Sequence, residues 1–171
     1  MPPDDEESNF GMTQEFLFSK VNIPPSNVHR IFGENEPQKE AIRYSEIIKS
    51  RLNLKNDFPE FDLILLGVGD DGHTASIFPD QMKLLNSEKI CEVAIHPSSG
   101  QKRITLTGKV INNSERIYFL VTGKSKAEVV AEILEKKNGY LKYPAANINS
   151  YNGNILWYLD KEASAWLKLN V

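Results

Sequence analysis

Phe61-Asp62-Leu63-Ile64-Leu65-Leu66-Gly67-Val68-Gly69-Asp70-Asp71-Gly72-His73-Thr74-Ala75-Ser76-Ile77-Phe78-Pro79 is the stretch on which the fold of this chain turns. A short apolar run bounded by glycines predicts a fully buried β-strand, here Asp62 to Val68. In open α/β sheets ligands bind outside the carboxyl ends of the strands, so the loop that follows is the expected functional edge. Asp71 and His73 stand one residue apart on it, flanked by Gly69 and Gly72. That is the proximity required of a general base and the carboxylate that orients it. Thr74 to Phe78 reads as a short helical turn stopped by Pro79.

Gly67-Val68-Gly69-Asp70-Asp71-Gly72 also satisfies G-x-G-x-x-G, with Glu92 about 20 residues on, as a dinucleotide site asks. Such a site lays a pyrophosphate on backbone N–H groups at a helix N-terminus. Asp70 and Asp71 would put two negative charges into that cradle, and Pro79 comes too soon for the long crossover helix. The dinucleotide reading fails on those grounds.

Upstream, Ser8 is a good N-cap, and Phe10, Phe16, Leu17 and Val21 follow at helical spacing. Pro24-Pro25-Ser26-Asn27 is a turn and Val28 to Phe32 a short extended piece. Pro37 opens a helix to about Leu52, with Ala41, Ile42, Tyr44, Ile47 and Ile48 as its apolar face. Downstream, strands are expected at Cys91 to Ile95, Arg103 to Leu106, Ile117 to Val121 and Ile155 to Leu159. The β-branched and aromatic run from Ile117 should be central. Asn112-Asn113-Ser114 turns the chain into it. Gly123 leads into a helix from about Lys124 to Lys136 burying Val129, Val130, Ile133 and Leu134. Asp160 caps a last helix carrying Ala163, Trp166 and Leu167, with Trp157 and Trp166 assigned to the core. Strands alternating with helices predict an α/β fold with a largely parallel sheet.

With 171 residues the chain fits one domain. It is 40% hydrophobic and 25% charged, with a formal net charge of −3. No global field draws it to nucleic acid or an acidic membrane, so an anionic substrate needs locally placed cations. Cys91 is the single cysteine, which leaves no disulfide framework and fits a reducing cytoplasm. No stretch approaches the ~20 apolar residues of a membrane span. The start Met1-Pro2-Pro3-Asp4-Asp5-Glu6-Glu7 lacks the basic and apolar regions of a signal peptide.

His73 is the sharpest chemical candidate, because imidazole is the side chain that can exchange protons near neutral pH. His29 and His96 have no such setting and read as surface or strand-end residues. Aspartates commonly serve as turn and N-cap residues, a role that suits one of Asp70 and Asp71; Asp71 is the better functional candidate. A metal site built from Asp70, Asp71 and His73 lacks a distant ligand. Arg103 starts a strand and Lys126 a helix. If both strands lie in one sheet, the two cations reach the same edge, where a guanidinium fork and an ammonium suit a phosphate monoester.

These residues resemble the 6-phosphogluconolactonases of the sugar-phosphate isomerase/deaminase-like superfamily. The resemblance is carried by Gly67 to Pro79, Arg103-Ile104-Thr105-Leu106-Thr107, Gly123-Lys124-Ser125-Lys126-Ala127 and Trp157-Tyr158-Leu159-Asp160. Pro2-Pro3-Asp4-Asp5 with Ser8-Asn9 resembles the segment just after that family's Asp-Glu-Arg motif. The resemblance implies a Rossmann-like fold and hydrolysis of 6-phosphoglucono-δ-lactone in the oxidative pentose phosphate pathway. His73 would activate the attacking water and Asp71 would orient it or hold the sugar. Arg103 and Lys126, with Gly69 and Gly72, would bind substrate and phosphate. No metal or organic cofactor is implied, and the expected partner is a phosphorylated sugar lactone.

Against the family pattern the chain begins inside the domain, and the fold is expected to be N-terminally truncated. An opening βαβ portion is then expected to be missing, with its Gly-Gly-Ser/Thr phosphate loop and the Asp-Glu-Arg arginine; one such unit takes about 30 residues. An open sheet edge would then permit self-association. Two other functions compete. Glucosamine-6-phosphate deaminases share the Asp-Gly-His signature but carry an Asn-Glu pair where Ile77 and Phe78 stand. A non-catalytic remnant would still bind sugar phosphates.

Overall fold

The computed structural model describes residues 1–168. Along them run α1 (Asn9–Thr13), α2 (Pro37–Arg51), β1 (Leu54–Lys55), β2 (Phe58–Pro59), β3 (Ile64–Leu66), β4 (Cys91–Ile95), β5 (Lys102–Leu106), α3 (Gly108–Asn112), β6 (Ile117–Val121), α4 (Ala127–Leu134) and β7 (Ile155–Leu159).

β3, β6 and β7 form a parallel sheet in that order, with Ile64 opposite Ile117 and Ile117 opposite Ile155. The run from Ile117 is therefore central, as its composition predicts. One face of the sheet carries Ile64, Leu66, Ile117, Phe119 and Val121, which share a core with Val129, Val130 and Ile133 of α4, Ile111 of α3, and Phe78. Trp157 stacks on Phe119 at 4.1 Å between ring centroids. Burying each such large apolar side chain is worth about 1.5–3 kcal/mol.

The strand that the opening run forms differs from expectation. It spans three residues rather than Asp62 to Val68, and it is buried on one face only: Leu63 and Leu65 are exposed. An apolar run carries no record of which face is covered, and none of the described residues covers this one.

Arg103 to Leu106 does form a strand, but not in the parallel sheet. β4 and β5 pair antiparallel as a separate ribbon, with Ala94 opposite Arg103. The reason is the short connection from His96 to Gln101, closed by His96 N–H to Gln101 C=O at 2.8 Å. A link this short joins only antiparallel neighbours, because a parallel crossover needs a dozen residues or more. Cys91 of this ribbon and Ile90 just before it pack with Val110 against Ala41 and Ile48 of α2.

α2 begins at Pro37 as expected, with the Glu36 carboxylate accepting the N–H groups of Gln38 and Lys39. Ile42, assigned to its apolar face, is exposed, and the buried polar residue there is Glu40. Its carboxylate accepts from Arg43, from the N–H of Phe32 at 2.7 Å and from Asn35 at 2.9 Å, fastening the extended piece around Phe32 to the helix.

Other expectations need correction. Ser8 caps α1 through Gly11 N–H at 3.1 Å, but α1 passes into a π turn at Gln14–Phe18. That i→i+5 winding breaks the 3.6-residue register, and Phe16, Leu17 and Val21 are exposed. Pro79 does not stop a helical turn; it opens a 3-10 segment, Pro79–Leu85, since a first-turn N–H needs no helical partner. Asp160 accepts the N–H of Ala163 at 2.7 Å, but the residues from 161 to 166 form turns rather than a helix, and Trp166 is exposed.

Candidate active site at the carboxyl ends of the parallel strands

Because β3, β6 and β7 run parallel, the segments after Leu66, Val121 and Leu159 emerge at one edge of the sheet. The first is the glycine-rich loop. Gly69 to Gly72 is a tight turn closed by Gly72 N–H to Gly69 C=O at 2.9 Å, and Gly69 N–H in turn binds His73 C=O at 2.9 Å. The Thr74 hydroxyl donates to Gly67 C=O at 2.8 Å, pinning the far side of the loop to its entrance. Ala75 sits at φ 51°, a left-handed conformation that a non-glycine residue adopts at a cost of about 1–2 kcal/mol.

This turn brings Asp71 and His73 together. Asp71 Oδ1 lies 2.6 Å from His73 Nδ1 and also accepts the His73 backbone N–H at 3.0 Å. With Nδ1–H donated to the carboxylate, the imidazole presents Nε2 as an acceptor. The ring rests on fully buried Phe78, 4.8 Å between centroids, and Phe78 meets His96 edge-on at 5.3 Å.

The two glycines have steric roles. A Cβ on Gly69 would stand 2.1 Å from His73 Nδ1 and 2.8 Å from Asp71 Oδ1. Gly72 has φ +74°, and a Cβ there would lie 2.3 Å from the Tyr143 ring. Tyr143 is held by donating to Glu132 of α4 at 2.5 Å, and Ala145 N–H donates to Gly72 C=O at 3.0 Å. The turn is thus braced from α4 and the segment beyond it.

The segments after β6 and β7 complete the edge. Gly123 N–H donates to both oxygens of Asp160, at 3.0 and 3.2 Å, tying the two segments together. Lys126 forms an ion pair with Asp70. The Lys126 ammonium, supplemented by the Ser125 hydroxyl, holds the Asp70 carboxyl below the usual carboxylate range. His73, Gly69, Ala75 and Lys126 line one cavity of about 520 Å³, with Leu106 and Ile111 among its apolar walls.

Arg103 is not in that cavity. It lines a neighbouring one of about 680 Å³ with Ser76, Gln101 and Lys102, and donates from Nε to Gln101 at 3.0 Å. The expectation that Arg103 and Lys126 follow strands of one sheet is corrected: Arg103 lies on the antiparallel ribbon, whereas Lys126 follows β6 of the parallel sheet. Ala75 and Ser76, adjacent in the loop, face the two cavities.

Of the groups that sequence reasoning left out, Thr74 and Phe78 lay within the quoted stretch. Nothing in the spacing of Asp70 points to its pairing with Lys126. Tyr143 carries no local signal. His96 proves to be a strand-end residue, half-buried against Phe78. Among the described residues no group of three or more His, Cys, Asp or Glu side chains is placed to hold a metal ion, and no helix is long and apolar enough to cross a membrane.

The family model for glucosamine-6-phosphate isomerases/6-phosphogluconolactonase matches residues 1–157. The chain is 47% identical over 163 residues to a 6-phosphogluconolactonase of Haemophilus influenzae, covering 95% of this chain and 68% of that protein. A crystal structure of devB protein superimposes with a TM-score of 0.91 at 48% identity, over 96% of this chain and 69% of that one. The 6-phosphogluconolactonase of Thermotoga maritima superimposes at 0.79 with 31% identity, over 93% and 67%.

Proposed function

The chain belongs to the glucosamine-6-phosphate isomerase/6-phosphogluconolactonase family, and on that premise we propose that its site hydrolyses 6-phosphoglucono-δ-lactone to 6-phosphogluconate. The observation that carries this reading is His73, 2.6 Å from Asp71 and lining one cavity with Lys126.

A lactone is already an activated ester, so the site must place a water, remove its proton and stabilise the oxyanion. His73 Nε2 accepts the proton as the water oxygen bonds to the lactone carbonyl carbon. Asp71 holds the ring in the required tautomer and balances the imidazolium that forms. Collapse of the tetrahedral intermediate breaks the ring C–O bond, and the imidazolium returns its proton to the departing alkoxide. The products are a carboxylic acid, which ionises to solvent, and a free sugar hydroxyl. A positioned base of this kind contributes about 10²–10⁴ in rate.

Lys126 is the phosphate ligand in this reading, leaving Asp70 as the substrate arrives, and Arg103 holds substrate from the adjoining cavity. The deaminase alternative is disfavoured because Ile77 and Phe78, both fully buried, put no carboxylate beside His73.

The test is a lactonase assay on freshly generated 6-phosphogluconolactone, corrected for spontaneous hydrolysis, with His73→Ala alongside. The proposal expects a rate above background that falls by about 10² or more in the variant. An undiminished rate in a folded His73→Ala would remove His73 from the chemistry.

A further inference from the structure

Two carboxylates stand side by side in the loop after β3, and only one of them builds it. Asp71 Oδ1 accepts the backbone N–H of His73 at 3.0 Å and lies 2.6 Å from the ring. The Asp70 side chain takes no backbone partner among the described residues. It forms the ion pair with Lys126, which the Ser125 hydroxyl supplements. The turn itself closes through Gly72 N–H and Gly69 C=O, so it forms without that carboxylate. The Asp70 side chain is 67% exposed and that of Lys126 23%, and among the described residues Lys126 has no second carboxylate in ion-pair contact.

The ammonium that lines the cavity is thus already engaged. An incoming phosphate must take Lys126 from a charged carboxylate, because the ammonium keeps Asp70 ionised at neutral pH. Exposed ion pairs are weak and hold back a competitor by about fivefold at most, so the exchange is allowed but resisted. This resistance is equal for all ligands that bring one phosphate. The state after the exchange is not equal for them. With Lys126 turned to the phosphate, Asp70 is left as an uncompensated anion next to Asp71. Opening a lactone converts a neutral ring into a carboxylate, so the product carries one more negative charge than the substrate. That charge forms where His73 acts, in the same turn as Asp70. Repulsion from Asp70 therefore falls on the product more than on the substrate.

On the premise that this site hydrolyses the phosphorylated lactone, we propose that Asp70 is a positioning residue for product release. Acting through Lys126, its carboxylate competes with the bound phosphate and expels the acid in preference to the lactone. Phosphate binding that was equally tight before and after ring opening would hold the product in place; Asp70 removes that trap at the cost of a higher KM.

The experiment is a calorimetric titration of the 171-residue protein with two ligands. Glucose 6-phosphate, a neutral ring with one phosphate, stands in for the substrate, and 6-phosphogluconate is the product. Asp70→Asn should bind glucose 6-phosphate about fivefold more tightly than the parent and 6-phosphogluconate about tenfold or more. Asp70→Glu keeps the charge and should stay within about twofold of the parent on both. In the lactonase assay Asp70→Asn should lower KM and strengthen product inhibition together. A side chain that merely supported the fold would weaken binding when replaced, not tighten it. Unchanged or weaker binding by a folded Asp70→Asn overturns the proposal, as does equal tightening for the two ligands or binding of neither. Lys126→Ala separates the premise from the inference. If it binds both ligands as the parent does, the phosphate reading of Lys126 fails and the proposal with it. If it loses affinity while Asp70→Asn gains none, the inference alone is wrong.

Discussion

Gly69→Ala puts the steric argument for the site to a direct test. The new methyl carbon would lie 2.1 Å from His73 Nδ1, where ordinary van der Waals contact begins at 3.4 Å. The imidazole must therefore retreat by about 1.3 Å, the difference of those two distances, and the 2.6 Å link to Asp71 cannot survive that displacement intact. A misplacement of about 1 Å costs on the order of 10²-fold in rate. Gly69 is not among the residues with positive φ, so alanine brings no backbone strain, and the expected loss of stability is the ~1–3 kcal/mol of an overpacked contact. Gly67→Ala is the control, because a Cβ there meets nothing within 4 Å. Lactonase rates above the spontaneous background, with melting temperatures for both variants, decide the matter. A folded Gly69→Ala that retains more than about a third of the parent rate would refute the claim that this glycine exists to admit the histidine ring.

Lys126→Ala should raise KM for the phosphorylated lactone about 10–100-fold, the loss of one charged hydrogen bond worth about 1.5–3 kcal/mol, and Arg103→Ala should act in the same direction. The Lys126 variant should leave hydrolysis of unphosphorylated gluconolactone unchanged, and an equal loss with that substrate would contradict its phosphate role. Burial opposes ionisation of Glu40, but Arg43, the Phe32 N–H and Asn35 overcome it and set its carboxyl below the ordinary value. Its contribution to stability is therefore complete above pH about 4.3 and is lost as pH falls through the lower folded value. Glu40→Gln should cost about 3 kcal/mol near neutrality and flatten the acid limb of the stability profile; a parallel acid limb in parent and variant would disprove this. Burial pushes the Cys91 thiol up to about 11, so native protein should resist alkylation at pH 8, with reaction only on unfolding. Rapid labelling of the folded chain would show the ribbon–helix packing around Cys91 to be wrong.

Local chemistry made much of this protein legible in one dimension. Pro37 opens α2, β6 is central and Ser8 caps α1, because caps and periodicity act over a few residues. The Asp71–His73 pair was equally readable: residues two apart in a glycine-bounded turn can meet without help from the rest of the chain. The corrections fall where the answer depended on distant partners. An apolar run at Leu63 to Leu66 is the same string whether one face or both are covered, and only the packing of the sheet decides. Arg103 lost its expected place beside Lys126 because a short connection folds β5 back onto β4. The pairing of Asp70 with Lys126, and the bracing of Gly72 by Tyr143, join residues some 56 and 71 positions apart. No spacing rule encodes such contacts: the first exists because β3 and β6 deliver their following segments to a single edge, the second because the segment beyond α4 packs back onto the turn.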